Sequence, residues 1–152
     1  KLQVNYIIPA FYNKNRGPSQ IGPHNFSDMN QKPTSLLNTA VENLNAAGEA
    51  LYKPEEDIIS YAVCKYSQNA ILNYLKGFLQ TKGYETHDHE TIQGLYNRCK
   101  SIEPKFKQID LRVIDCKTKE IDEEYCIEVD RVKQCHAVAD HLDTVLRSMK
   151  IV

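Results

Sequence analysis

One stretch, Pro54 to Gly83, limits what this chain can fold into more than any other. It reads PEEDIISYAVCKYSQNAILNYLKGFLQTKG. Pro54 suits a first helical position, and Glu55, Glu56 and Asp57 favour the positive end of a helix dipole. Gly83 is the residue type that commonly stands just past a helix end. Between these marks, Ile59, Val63, Tyr66, Ala70 and Tyr74 recur at helical spacing, and Ile58, Ala62, Ile71, Leu75, Phe78 and Leu79 form a second stripe. A helix with two apolar stripes needs partners on two sides, so this segment is expected at the centre of a helical bundle.

The flanking segments supply those partners. Thr34 or Ser35 can cap a helix running to about Tyr52, with Leu37, Ala40, Val41, Leu44, Ala47 and Leu51 on one face. The short turn at Tyr52 and Lys53 makes the first two helices antiparallel neighbours. After Gly83, Thr86 or Asp88 can cap a third helix that reaches Ile102 and stops before Pro104. Lys105 to Lys119 fits a short helix by Phe106, Ile109, Val113 and Cys116, although Ile109, Leu111 and Val113 also alternate as in a strand; helix is the favoured reading. A last helix from about Asp122 to Lys150 carries Tyr125, Val129, Val132, Cys135, Ala139, Leu142, Leu146 and Met149, separated by threes and fours. The fold class expected is therefore all-α, an up-and-down bundle of four to five helices over residues 34–152. Residues 1–33, with four of the six prolines, read as an irregular arm or linker.

Composition narrows the function classes. A net charge of -1 over 152 residues speaks against a strongly basic nucleic-acid binder. No run approaches the length of a membrane span, and the first residues lack the pattern of a secretory signal, so no membrane association and a cytoplasmic location are expected. Five cysteines without a CxxC pair indicate neither a disulfide framework nor a zinc knuckle. The six glycines form no phosphate-binding loop, and no cofactor is expected.

Three segments, AVENLNAAGEAL, YAVCKYSQNAILNYLKGFLQTKG and THDHETIQGL, together resemble the HEPN domain family in order and spacing, over roughly residues 35–102. The resemblance implies an up-and-down bundle that dimerises through its long helices. It also implies two functional branches. One contains metal-independent ribonucleases, often toxins; the other contains non-catalytic members that bind nucleotides or pair with a small nucleotidyltransferase.

The ribonuclease branch resembles an arginine followed a turn or so later by a histidine on a late helix, and Arg131 and His136 fit that pattern. Such a histidine would move a proton to or from a ribose 2′-hydroxyl while the arginine held the phosphate, across a dimer cleft. Against this, Val132 stands where catalytic members carry a polar residue. Five residues also turn a helix by about 140° beyond a full circle, so the two side chains diverge. Glu128 and Asp140 offer surface ion pairs to Arg131 and His136.

The HDHE cluster, His87 to Glu90, carries metal-ligand types, but residues two apart on a helix diverge, and capping is the better account; no metal is expected. A basic group, Arg98, Lys100, Lys105, Lys107, Arg112, Lys117 and Lys119, can meet phosphate, with Tyr96 or Phe106 as a stacking face. Neutralisation by the acidic run Glu120 to Asp130 competes with that reading. The expected function is a dimeric, non-catalytic HEPN-like binding module for a nucleotide, RNA or a nucleotidyltransferase. A HEPN-type ribonuclease using Arg131 and His136 is the alternative, and a bundle with residues 1–33 as its docking arm is a third possibility.

Overall fold

The structure is a computed structural model, and it describes residues 32–54, 60–114 and 128–152, all within the unit Gln31–Val152. Four α-helices, α1 (Pro33–Leu51), α2 (Ser60–Thr81), α3 (Ile92–Ile102) and α4 (Val129–Ser148), are joined by two short 3-10 helices, Pro104–Gln108 and Arg112–Ile114. No strand occurs among the described residues. The all-α reading holds, and α2 is the central helix: it packs against α1, α3 and α4.

Several boundaries differ from the sequence expectations. Pro33, not Thr34 or Ser35, opens α1; it occupies the first helical position after Lys32, whose side chain makes no cap. Proline is tolerated there because its missing N–H would have had no partner in the first turn. The cap of α3 is Thr91, whose Oγ1 accepts from the Gly94 amide at 3.1 Å. Thr86 is instead engaged by Gln80 Nε2 at 2.9 Å, and Asp88 by Lys76. Glu128 has extended backbone, so α4 starts at Val129 rather than Asp122. The described part of the ambiguous segment, Lys105 to Ile114, runs through the 3-10 turns Pro104–Gln108 and Arg112–Ile114 and forms no α-helix. Residues 1–31, the start expected for α2 at 55–59, and the residues from Asp115 to Ile127 lie outside the described residues.

Three contacts fix the register. Gly77 lies so close to α1 that a Cβ there would meet Leu37 Cδ2 at 2.7 Å. Tyr74 reaches Asp143 on α4, and Gly48 on α1 faces His136 on α4. Hence α1 runs antiparallel to α2, and α4 runs parallel to it. One turn forward on α2 is one turn back on α1 and one turn forward on α4. At one end Leu51, Val63 and Val132 form one buried cluster with Cys64; further along, Leu37 and Ala40 of α1, Ala70 and Tyr74 of α2, and Ala139 and Leu146 of α4 belong to a second, larger one. Cys99, seven residues into α3, sits against the Leu75 carbonyl near the end of α2, which makes α2 and α3 an antiparallel hairpin.

At one end of the large cluster, α2 and α4 both finish in the same kind of turn. Past α2, Gly83 takes a positive φ of 82°, its amide bonds to Gln80 O, and the Tyr84 amide bonds to Leu79 O, each at 2.9 Å. Past α4, Lys150 adopts a φ of 56°, with Lys150 N to Arg147 O and Ile151 N to Leu146 O. There the left-handed residue carries a side chain, and the packing of Ile151 and Val152 on the core offsets the strain.

Candidate functional site

The helix-surface geometry of α4 separates Arg131 from His136. Arg131 is exposed, with Nε 3.7 Å from Glu128 Oε2. Only 8% of His136 is exposed. Its ring meets the edge of Tyr52 at 5.9 Å between centroids and 85° between planes, and its Nε2 lies 3.5 Å from where a Gly48 Cβ would stand. Burial holds the imidazole below its ordinary pKa, and the opposing pull of Asp140 is weaker. The ion pair expected for Arg131 is present; His136 is not the surface residue expected, because it packs against Gly48 of α1 and the Tyr52 ring.

The described part of the basic group is spread over three elements, and its two arginines are occupied. Arg98, on α3, binds the Glu90 carboxylate and the Glu85 carbonyl, the latter at 2.7 Å. Partial burial works to raise Glu90, but Arg98 and the His87 amide outweigh it and hold the carboxyl below its usual range. Arg112 grips Asp110 through two bonds of 2.9 and 2.6 Å, which brings Asp110 down to about 2. Lys105 and Lys107 are exposed. Lys117, Lys119 and the acidic residues from Glu120 to Glu124 lie outside the described residues.

Neither aromatic expected as a stacking face offers one. Tyr96 is buried, its hydroxyl donating to the Ile109 carbonyl at 2.7 Å and shared with that of Phe106 at 3.0 Å, while Lys100 Nζ sits 4.7 Å from its ring centroid. Phe106 is buried against Phe78, 4.7 Å between centroids. The reason is tertiary: the chain turns back on itself after Pro104, and these rings fill the corner that the turn creates.

The HDHE cluster forms a loop and not a helix start. His87 and His89 stack at 5.5 Å, Asp88 pairs with the buried Lys76 at 3.2 Å, and Glu90 is taken by Arg98. Among the described residues no group of three or more His, Cys, Asp or Glu is placed to hold a metal ion. Cys99 is buried, which pushes its thiol up to about 12. Lys76 and Tyr74 pack in the interior, and Gln68 Nε2 approaches Cys64 Sγ at 3.4 Å.

Two features were not singled out in the sequence. A buried network joins α2 to α4: the Tyr74 hydroxyl donates to Asp143 Oδ1 at 2.6 Å, and Arg147 Nε donates to Asp143 Oδ2 at 2.7 Å. Asp143 and Arg147 are one turn apart and so were legible as a pair, but Tyr74 lies 69 positions away from Asp143. The second feature is a set of exposed tyrosines at the opposite end, Tyr52 at 81% and Tyr61 and Tyr66 on different sides of α2; the apolar stripe places Tyr66 inside, and the structure does not. Lys65 Nζ lies 5.9 Å from the Tyr61 centroid.

These features define an all-α bundle protein with a polar-braced end and a tyrosine-bearing end. No match to the chain emerges from known family models, from curated proteins or from solved structures. Among the described residues no helix is long and apolar enough to cross a membrane.

Proposed function

We propose that this chain is a non-catalytic, HEPN-like binding module that acts as a homodimer and docks protein, with a small nucleotidyltransferase as the partner class the family resemblance suggests. The observation that carries the reading is the exposure of three large aromatic side chains, Tyr52, Tyr61 and Tyr66, near the α1–α2 turn. Tyrosines are enriched where one protein meets another, because a ring buries large area while its hydroxyl keeps a polar contact. Two further facts favour protein over RNA or a nucleotide: Tyr96 and Phe106 are buried, and Arg98 and Arg112 already hold carboxylates. The ribonuclease alternative is weaker on this geometry, since Arg131 faces solvent with Glu128 while His136 faces α1 of its own chain.

Sedimentation equilibrium tests the reading. The wild type is expected to form dimers, and the Tyr61→Ser/Tyr66→Ser variant is expected to dissociate at higher concentration while its helical signal is unchanged. Calorimetric titration with ATP, GTP and short RNA should give no heat; heat with RNA would move the reading to nucleic acid. RNA cleavage in EDTA that disappears in His136→Ala would establish the ribonuclease instead.

A further inference from the structure

The polar stretch between α2 and α3 lies over a lysine that α2 turns away from the core. Lys76 stands about 200° around the helix from Tyr74, the residue that meets α4. A lysine so placed is expected to reach into water, yet only 8% of Lys76 is exposed. Among the described residues, the segment that reaches it is Glu85–Glu90. Lys76 Nζ donates to Asp88 Oδ1 at 3.2 Å, and one turn on, Gln80 Nε2 donates to Thr86 Oγ1 at 2.9 Å. The segment hangs between two fixed points. On one side the Tyr84 amide bonds to Leu79 O beyond the left-handed Gly83, and on the other Thr91 caps α3.

Two helices hold two different parts of this segment. Arg98 of α3 takes its two feet, donating to the Glu85 carbonyl at 2.7 Å and to the Glu90 carboxylate. Lys76 and Gln80 of α2 take the middle, through Asp88 and Thr86. None of Glu85, Thr86, His87, Asp88, His89 and Glu90 is buried, so no apolar anchor backs the polar bonds. The hold on the α2 side is the weaker one. Asp88 is fully exposed, where water and salt screen an ion pair, and closure leaves the buried Gln80 Oε1 without a hydrogen-bond partner among the described residues. Lifting the middle admits water to that oxygen and to the amine while Arg98 keeps the feet in place. We propose that Glu85–Glu90 is a strap over Lys76, hinged on its Arg98-held feet, and that the amine meets solvent through local opening of this strap with the bundle intact. Segments with few buried contacts open at far lower cost than the core, and here that opening decides when the Lys76 amine is available.

Acylation of the amines by a succinimidyl ester, followed lysine by lysine in a mass spectrometer, tests the strap, with the exposed Lys105 and Lys107 as references in the same molecule. Wild-type Lys76 is expected to react more slowly than these two by on the order of tenfold or more. Thr86→Val keeps the outline of the side chain, removes the bond to Gln80 and leaves the amine and its carboxylate untouched. It is expected to speed Lys76 by on the order of fivefold, the weight of one ordinary hydrogen bond on an opening equilibrium, with the references unchanged. Urea at about 1 M should leave the wild-type Lys76 rate unchanged, because lifting the strap exposes little surface. Lys76 reacting as fast as Lys105 would show that nothing covers it. An unmoved rate in Thr86→Val would assign the cover to something other than the strap, and a rate that rises with urea in step with global unfolding would make the opening global. Any one of these three results overturns the proposal.

Discussion

The two ends of the bundle are built on the same three helices and differ in how their polar groups are satisfied. At the α3 end, Tyr74 bonds to Asp143 at the large cluster, the exposed Arg147 takes the other carboxylate oxygen, and the helix ends are locked by turns at Gly83 and Lys150. At the α1–α2 turn, the cluster among the described residues is Leu51, Val63, Cys64 and Val132; the buried Ser67 hydroxyl has no hydrogen-bond partner there, and three tyrosines are exposed. The difference teaches where rigidity and recognition reside. A satisfied network in a large apolar cluster holds one geometry, whereas an end with a small cluster and exposed rings can open or dock at low cost.

The comparison is most easily broken with truncations in the two clusters. Leu75→Ala, in the large cluster, is expected to lose about 3–5 kcal/mol by urea unfolding followed by circular dichroism, and Leu51→Ala, in the small one, about 2 kcal/mol. Equal losses would mean that the ends are not distinct. Gly77→Ala should lose about 1–3 kcal/mol, because the new methyl runs into Leu37, and Leu37→Ala in the same chain should recover part of the loss.

The polar brace gives a pH-dependent prediction. Tyr74→Phe should lose about 1 kcal/mol near neutral pH, through the lost hydrogen bond to Asp143. Burial first, and Asp143 second, push the Tyr74 phenol far above its usual range. An unfolded tyrosine releases its proton above about pH 10 while the folded one keeps it, so this contribution is full below that pH and lost above it. Raising the pH from about 9 to 11 should therefore destabilise the wild type more than Tyr74→Phe. The smallest effect is expected at Lys150→Gly, a gain of about 0.5–1 kcal/mol from relief of the left-handed backbone, with Gly83→Ala showing the converse loss.

Much of this fold was legible before the structure. The stripes on Pro33–Leu51, Ser60–Thr81 and Val129–Ser148 gave the helices and the central place of α2, because periodic burial is a local record of a helix between partners. Cap positions were less legible: Thr86, Asp88 and Thr91 are all chemically able to cap, and Thr91 does so because Gln80 and Lys76 engage the other two. The candidate site was legible only as residue types. That His136 is interior depends on its packing against Gly48 and Tyr52, far earlier in the chain, and that Tyr96 and Phe106 are unavailable for stacking depends on the fold-back after Pro104.

By itself, then, the sequence determined that the chain is all-α, that Pro54–Gly83 contains its central helix, and that Gly83 ends it, since each rests on interactions within a few turns of chain. Tertiary structure alone decided which polar side chains meet. Tyr74 finds Asp143 and Lys76 finds Asp88, because register between helices is set by close approaches such as Gly77 on Leu37. Helical periodicity repeats along each segment and carries no record of how one segment slides against the next.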